Sequence, residues 1–133
     1  MIQEFINRYM ERKDVIRTAL SEKHPDTYKD LVRLVVDTVS DGKYREMDAE
    51  NIVEINQGDY QGTLVYLIPE KGYQPHDYWY LRVWYGSCSG CDTLEGIREY
   101  GYDKKPDVGQ VNDYMTLTLH IVEGIKSMGG KAA

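Results

Sequence analysis

The residues best suited by type and spacing to do chemistry are Cys88 and Cys91, which lie in the turn Tyr85-Gly86-Ser87-Cys88-Ser89-Gly90-Cys91-Asp92. Three physical readings compete for them. A dithiol at a helix N-terminus has the geometry for redox work, because the helix dipole favours thiolate. Against this, Asp92 places a negative charge beside Cys91, and the strand leading into the turn reads as the end of an antiparallel meander. Thioredoxin-like sites instead begin a helix inside a parallel unit. A zinc site would use both thiolates and two further ligands. Of the histidines, His76 in the loop before the third strand and His120 on the last helix are the candidates, although His120 taken alone reads first as an ordinary core or surface histidine. The third reading is structural and is the preferred one. Gly86, Ser87, Ser89 and Gly90 permit a sharp strand-to-helix bend, and the two sulfurs fill space beneath it as small apolar side chains. Exposed N–H groups at such a bend also suit an anion.

Other chemistries fit less well. Arg98 follows Cys91 by one position too many for a Cys-x5-Arg phosphate loop. No Gly-Lys-Ser/Thr follows the glycines, so there is no P-loop. Asp92, Glu95 and Glu99 on neighbouring helical turns, with Asp59 and Asp77, are hard ligands of the kind Mg²⁺ takes. Acidic residues in a first helical turn are also the ordinary complement of the helix dipole, and that reading is preferred.

The elements that must position these residues follow from periodicity. Ile2, Phe5, Ile6, Tyr9, Ile16 and Leu20 share one face of a helix from Ile2 to Leu20. Ser21 to Pro25 breaks it. A second helix starts near Pro25-Asp26, carries Tyr28, Leu31, Leu34, Val35 and Val39, and stops at Ser40-Asp41-Gly42. The short link favours antiparallel packing of the pair. After a polar stretch, Asp41 to Glu50, the period changes. Ile52 to Ile55, Thr63 to Ile68 and Tyr78 to Tyr85 read as strands, separated by turns rich in glycine and proline. A short helix follows near Asp92 to Tyr100, with Gly101 as its cap. A last helix runs from Asp107 to Met128, with Val111, Tyr114, Met115, Thr118, Ile121, Val122, Ile125 and Met128 as its buried stripe. The expectation is a single α+β domain over residues 1–128 with a tail at 129–133. It has a three-stranded antiparallel meander, two N-terminal helices, a short helix after the third strand and a long C-terminal helix.

The third strand is apolar on both faces. Trp79, Leu81, Val83 and Tyr85 point one way; Tyr78, Tyr80, Arg82 and Trp84 point the other. A sheet with helices on one side only should show polar residues on its far side. The second face is therefore expected to be covered, by the C-terminal helix or the N-terminal pair in preference to a partner or a second copy.

The chain has 133 residues and a net charge of −6. The stretch 51–103 carries 3 basic and 8 acidic residues and holds most of that charge. Acidity disfavours nonspecific nucleic-acid binding. No apolar run is long enough for a membrane helix, the N-terminus lacks the pattern of a signal peptide, and two closely spaced cysteines make no disulfide framework. The expected setting is the cytoplasm, with free thiols. With 12 Tyr and 2 Trp against 1 Phe, the aromatic surface is mostly amphipathic and suits interfaces.

The run Asp77-Tyr78-Trp79-Tyr80 through Cys91-Asp92-Thr93-Leu94, with Gly58-Asp59-Tyr60-Gln61-Gly62, resembles small uncharacterised proteins encoded by bacteriophages and prophages. The resemblance covers about the middle third of the chain. It implies a genomic context and no chemistry. The function expected from the residues is non-enzymatic binding through the aromatic face of Tyr78, Tyr80, Arg82 and Trp84, or through the acidic surface, to a protein partner or a second copy. The alternative is a thiol-redox or zinc-binding function centred on Cys88 and Cys91.

Overall fold

The computed structural model describes residues 2–41, 43, 46–58, 62–72, 75, 77–85, 93–98 and 105–128. It is an α+β fold: a four-stranded antiparallel sheet in the order β1-β2-β3-β4, with helices packed on one of its faces.

Helix α1, Ile2–Glu22, buries Phe5, Tyr9, Ile16 and Leu20. Helix α2, Tyr28–Val39, begins two residues later than the proline suggests, because Thr27 caps it, its side chain accepting from the Asp30 amide at 3.2 Å. Satisfying a first-turn N–H in this way defines a helix start better than proline does. Arg8 of α1 fastens the far end. Its guanidinium reaches the Val39 carbonyl at 3.1 Å, Glu46 at 2.8 Å and Asp41 at 3.1 Å. Arg12 pairs with Asp41 at 3.0 Å. The hydrogen bond from Arg12 holds the Asp41 carboxyl below its usual range, and the bond to Glu46 raises Arg8. This network secures Asp41 and Glu46, in a segment that reads simply as a polar loop. Within that segment Met47 is buried, the Ser40 hydroxyl donates to its carbonyl at 2.7 Å, and Ala49–Asn51 forms a short 3₁₀ helix.

Strands β1 (Val53–Gly58), β2 (Gly62–Pro69) and β3 (Tyr78–Tyr85) form a meander in continuous register, from Val53↔Leu67 to Gly58↔Gly62 and from Gly62↔Tyr85 to Pro69↔Tyr78. Leu64, Tyr66 and Ile68 of β2 and Trp79, Leu81 and Val83 of β3 lie in one hydrophobic cluster with residues of α1 and α2. Phe5 meets Trp79 edge to face, with ring centroids 6.2 Å apart. Helix α3, Thr93–Arg98, adds Leu94 to the same cluster.

Helix α4, Val108–Glu123, starts at a capping box in which Asp107 and Gln110 bond reciprocally. Its buried stripe is as expected through Val122, but its end is not. At Gly124 the helix stops, Ile125 turns into the core, and Lys126–Ser127 become β4, paired with Tyr80 and Trp79. The sheet therefore has four strands instead of three, and Met128, expected in the buried stripe, is exposed. Glycine is a poor helix former, and the open edge of β3 offers hydrogen bonds that a further helical turn would forgo. The expected tail, 129–133, lies outside the described residues.

The two faces of β3 make opposite predictions for its two tryptophans. Trp79→Ala empties a packed site and should cost about 3–5 kcal/mol in urea unfolding. Trp84→Ala should stay within about 0.5 kcal/mol, as at an exposed position. A comparable loss at both positions would show that both faces are core.

Candidate functional site

The expected cover over the second sheet face is absent among the described residues. Val53 is 51% exposed, Ile55 40%, Tyr78 40% and Trp84 53%. Strand alternation and register place these on one face with Thr63, Val65, Leu67, Tyr80, Arg82 and Lys126. Across the strands, Val53, Leu67, Tyr80 and Lys126 form one row and Ile55, Val65 and Arg82 the next. The helices pack where Trp79, Leu81 and Val83 point, and nothing described packs on the other side.

The face has its own charge. Its charged side chains among the described residues are Arg82 and Lys126, both cationic, in a chain of net charge −6. The Arg82 guanidinium carbon lies over the Tyr80 ring, 5.9 Å from its centroid, where the negative face of the ring attracts it. The four residues expected to bind, Tyr78, Tyr80, Arg82 and Trp84, thus share one surface. Val53, Ile55, Val65, Leu67 and Lys126 join them. Alternation within β1 and β2 is the signal that adds the first four; Lys126 joins only through β4, which the end of α4 conceals.

On the dry side, Tyr66 keeps the β1–β2 hairpin in register. Its hydroxyl donates to Glu54 across the ladder at 2.7 Å. Burial, reinforced by this bond and the nearby carboxylate charge, pushes the Tyr66 phenol well above its usual range. Burial also raises Tyr9, whose hydroxyl donates to the Met115 carbonyl at 3.1 Å.

A cleft of about 230 Å³ opens where β3 passes α4, lined by Tyr28, Arg82, Val83, Trp84, Leu117, His120 and Ile121. His120 is therefore an exposed residue on the cleft wall. His24 belongs to the core instead. Its Nδ1 lies 2.6 Å from the Tyr114 hydroxyl, with the rings edge to face.

Cys88, Cys91 and His76 lie outside the described residues, as do Asp59, Asp92 and Glu99 of the acidic set and the Gly86–Gly90 bend. The flanks of the bend are described. Tyr85 pairs with Gly62 in the ladder. At the other side the Leu94 amide donates to the Tyr28 hydroxyl at 3.1 Å, and the Gln110 side chain donates to the Ile97 carbonyl at 3.0 Å. Helix α3 is thus fastened to α2 at its start and to α4 near its end. Among the described residues no cluster of three His, Cys, Asp or Glu side chains is arranged to hold a metal ion, and no helix is long and apolar enough to cross a membrane.

No family model, curated protein or solved structure matches this chain.

The Tyr66 phenol gives a pH signature. A pKa raised in the folded state means that the native protein holds this proton more tightly than the unfolded chain does. The associated stability is present below about pH 10, the ordinary tyrosine pKa, and is lost as pH rises from there. Tyr66→Phe should lose about 1 kcal/mol at neutral pH through the missing hydrogen bond. Above about pH 10 its urea midpoint should fall less steeply than that of the wild type. Parallel pH profiles would show that Tyr66 is not the titrating group.

Proposed function

We propose that this protein is a non-enzymatic binding module whose open sheet face docks another protein. The observation that carries the reading is the exposure of Val53, Ile55, Tyr78 and Trp84 on one continuous face opposite the helices. Contiguous apolar surface of this kind, with amphipathic aromatics and an arginine, has the composition of an interface centre.

Charge selects the occupant. Stacking a second copy face to face would bring Arg82 and Lys126 of one copy toward those of the other, and like charges brought together in a desolvated interface are costly. The complementary surface is apolar with acidic side chains around it. A single-stranded nucleic acid would also stack on aromatics and meet Arg82, but two cations are few for a backbone-tracking site in so acidic a chain. The thiol-redox or zinc alternative rests on Cys88 and Cys91, and no described residue favours it.

The test compares the wild type with Tyr80→Ala/Trp84→Ala and with Arg82→Glu, each checked for unchanged helical circular dichroism. Proteins captured from lysate are identified, and the leading one is purified and titrated against all three. Affinity should fall by at least about tenfold in both variants, the size of a lost interface anchor. Equal affinity in all three would overturn the reading. So would a dimer that the double variant abolishes, which would make the occupant a second copy, or binding of a labelled single-stranded oligonucleotide with the same sensitivity.

A further inference from the structure

The edge of β3 offers a second surface, adjoining the open face at Arg82 and Trp84. In an antiparallel ladder the peptide groups of alternate residues point to alternate sides. The Met128 amide donates to the Tyr78 carbonyl at 2.9 Å, so the peptide groups of Tyr78, Tyr80, Arg82 and Trp84 point toward the β4 side. Strand β4 pairs with Trp79 and Tyr80 and is two residues long. The chain reaches it from α4 through Gly124 and Ile125, and that path ends the pairing there. Past it, among the described residues, no strand lies opposite Arg82 and Trp84.

The cleft of about 230 Å³ lies along this free stretch. One wall is the β3 edge at Arg82, Val83 and Trp84; the other is α4 at Leu117, His120 and Ile121, with Tyr28 also lining it. A strand edge beside a helix, with a pocket between them, is the arrangement in which an extended peptide adds itself to a sheet. Main-chain hydrogen bonds supply affinity, and pockets for alternate side chains supply specificity.

The geometry points to the Arg82–Trp84 edge as a binding site for an extended peptide segment of another protein, added to β3 in line with β4. Two features define that segment. The peptide groups of Arg82 and Trp84, which no described residue pairs on the β4 side, call for a backbone, and a folded surface without an exposed strand cannot meet them. The basic side chains lining the cleft are Arg82 and His120, so the complementary peptide carries carboxylates, with an apolar side chain directed at Leu117 and Ile121. β4 already shows that this edge accepts an antiparallel strand, and the bound segment would continue the same ladder.

A random dodecapeptide library displayed on phage is the probe, panned on the full chain, and the enriched peptide is then synthesised. Its sequence should alternate apolar and acidic residues. Its binding should slow amide hydrogen exchange at Arg82 and Trp84 by at least about tenfold, as for hydrogen bonds closed by a partner. His120→Trp, which fills the cleft from an exposed position, should abolish binding without disturbing the core, and Leu117→Glu, one turn earlier on the same α4 wall, should abolish it by repelling the peptide's carboxylates. Tyr80→Ala, on the open face, should leave it intact, which separates this site from the docking face. The proposal is overturned by a library that enriches nothing, by peptides whose binding leaves exchange at Arg82 and Trp84 unchanged, or by binding that survives His120→Trp and is lost in Tyr80→Ala.

Discussion

Trp79, Leu81 and Val83 are dry, and the helices that shield them stand on one side of the sheet. Successive strand residues point to opposite faces, so burying that row commits Tyr78, Tyr80, Arg82 and Trp84 to the other side. The register with β1 and β2 extends the commitment to Val53, Ile55, Val65 and Leu67. A slip of one residue would exchange the two sets. Tyr66 guards against it from within, since its phenol finds Glu54 only in the observed pairing. The character of the open face is thus a by-product of how the core is built, and so is its exposure among the described residues.

The connections outside the sheet serve the same arrangement. Arg8 and Arg12 tie Asp41 and Glu46 to the first helix, which fixes where the chain leaves α2 for β1. The ion pairs are partly exposed and individually modest. Arg8 also reaches the Val39 carbonyl, one of the groups that a helix end leaves without an internal partner. Tyr9 plays a similar part between α1 and α4, with its hydroxyl within 2.8 Å of Thr118 Oγ1 and 3.1 Å of the Met115 carbonyl. Buried hydroxyls with partners position helices that apolar packing alone would let slide.

Much of this was legible in the residues, and the exceptions have a common origin. The bounds of β3 follow from its unbroken run of β-formers, and those of α1 from its apolar stripe. The end of α4 does not follow, because Ile125 and Met128 continue the stripe at helical spacing. What stops the helix is an acceptor at Tyr78 and a strand edge at Tyr80, both distant in sequence. Met47 has no periodic neighbours, and its burial depends on Ser40 and Glu70, the latter through an isolated bridge. The open face was misjudged for a different reason. Apolar residues on both sides of a strand argue that both sides are covered, and the argument does not say whether the cover belongs to the same chain. The cleft had no sequence signal beyond Leu117 and His120 at i, i+3, because its two walls are brought together only by the fold.

Tyr28 joins the cleft to α3. Its ring helps line the cleft between β3 and α4, while its hydroxyl accepts the amide proton of Leu94 at the opening turn of α3. The cleft is lined by the same side chain that anchors this helix. A shift of the ring is therefore passed to the Leu94 amide. By linkage, whatever steadies one end of this lever must steady the other to the same degree in free energy. The two ends are the cleft and the opening turn of α3.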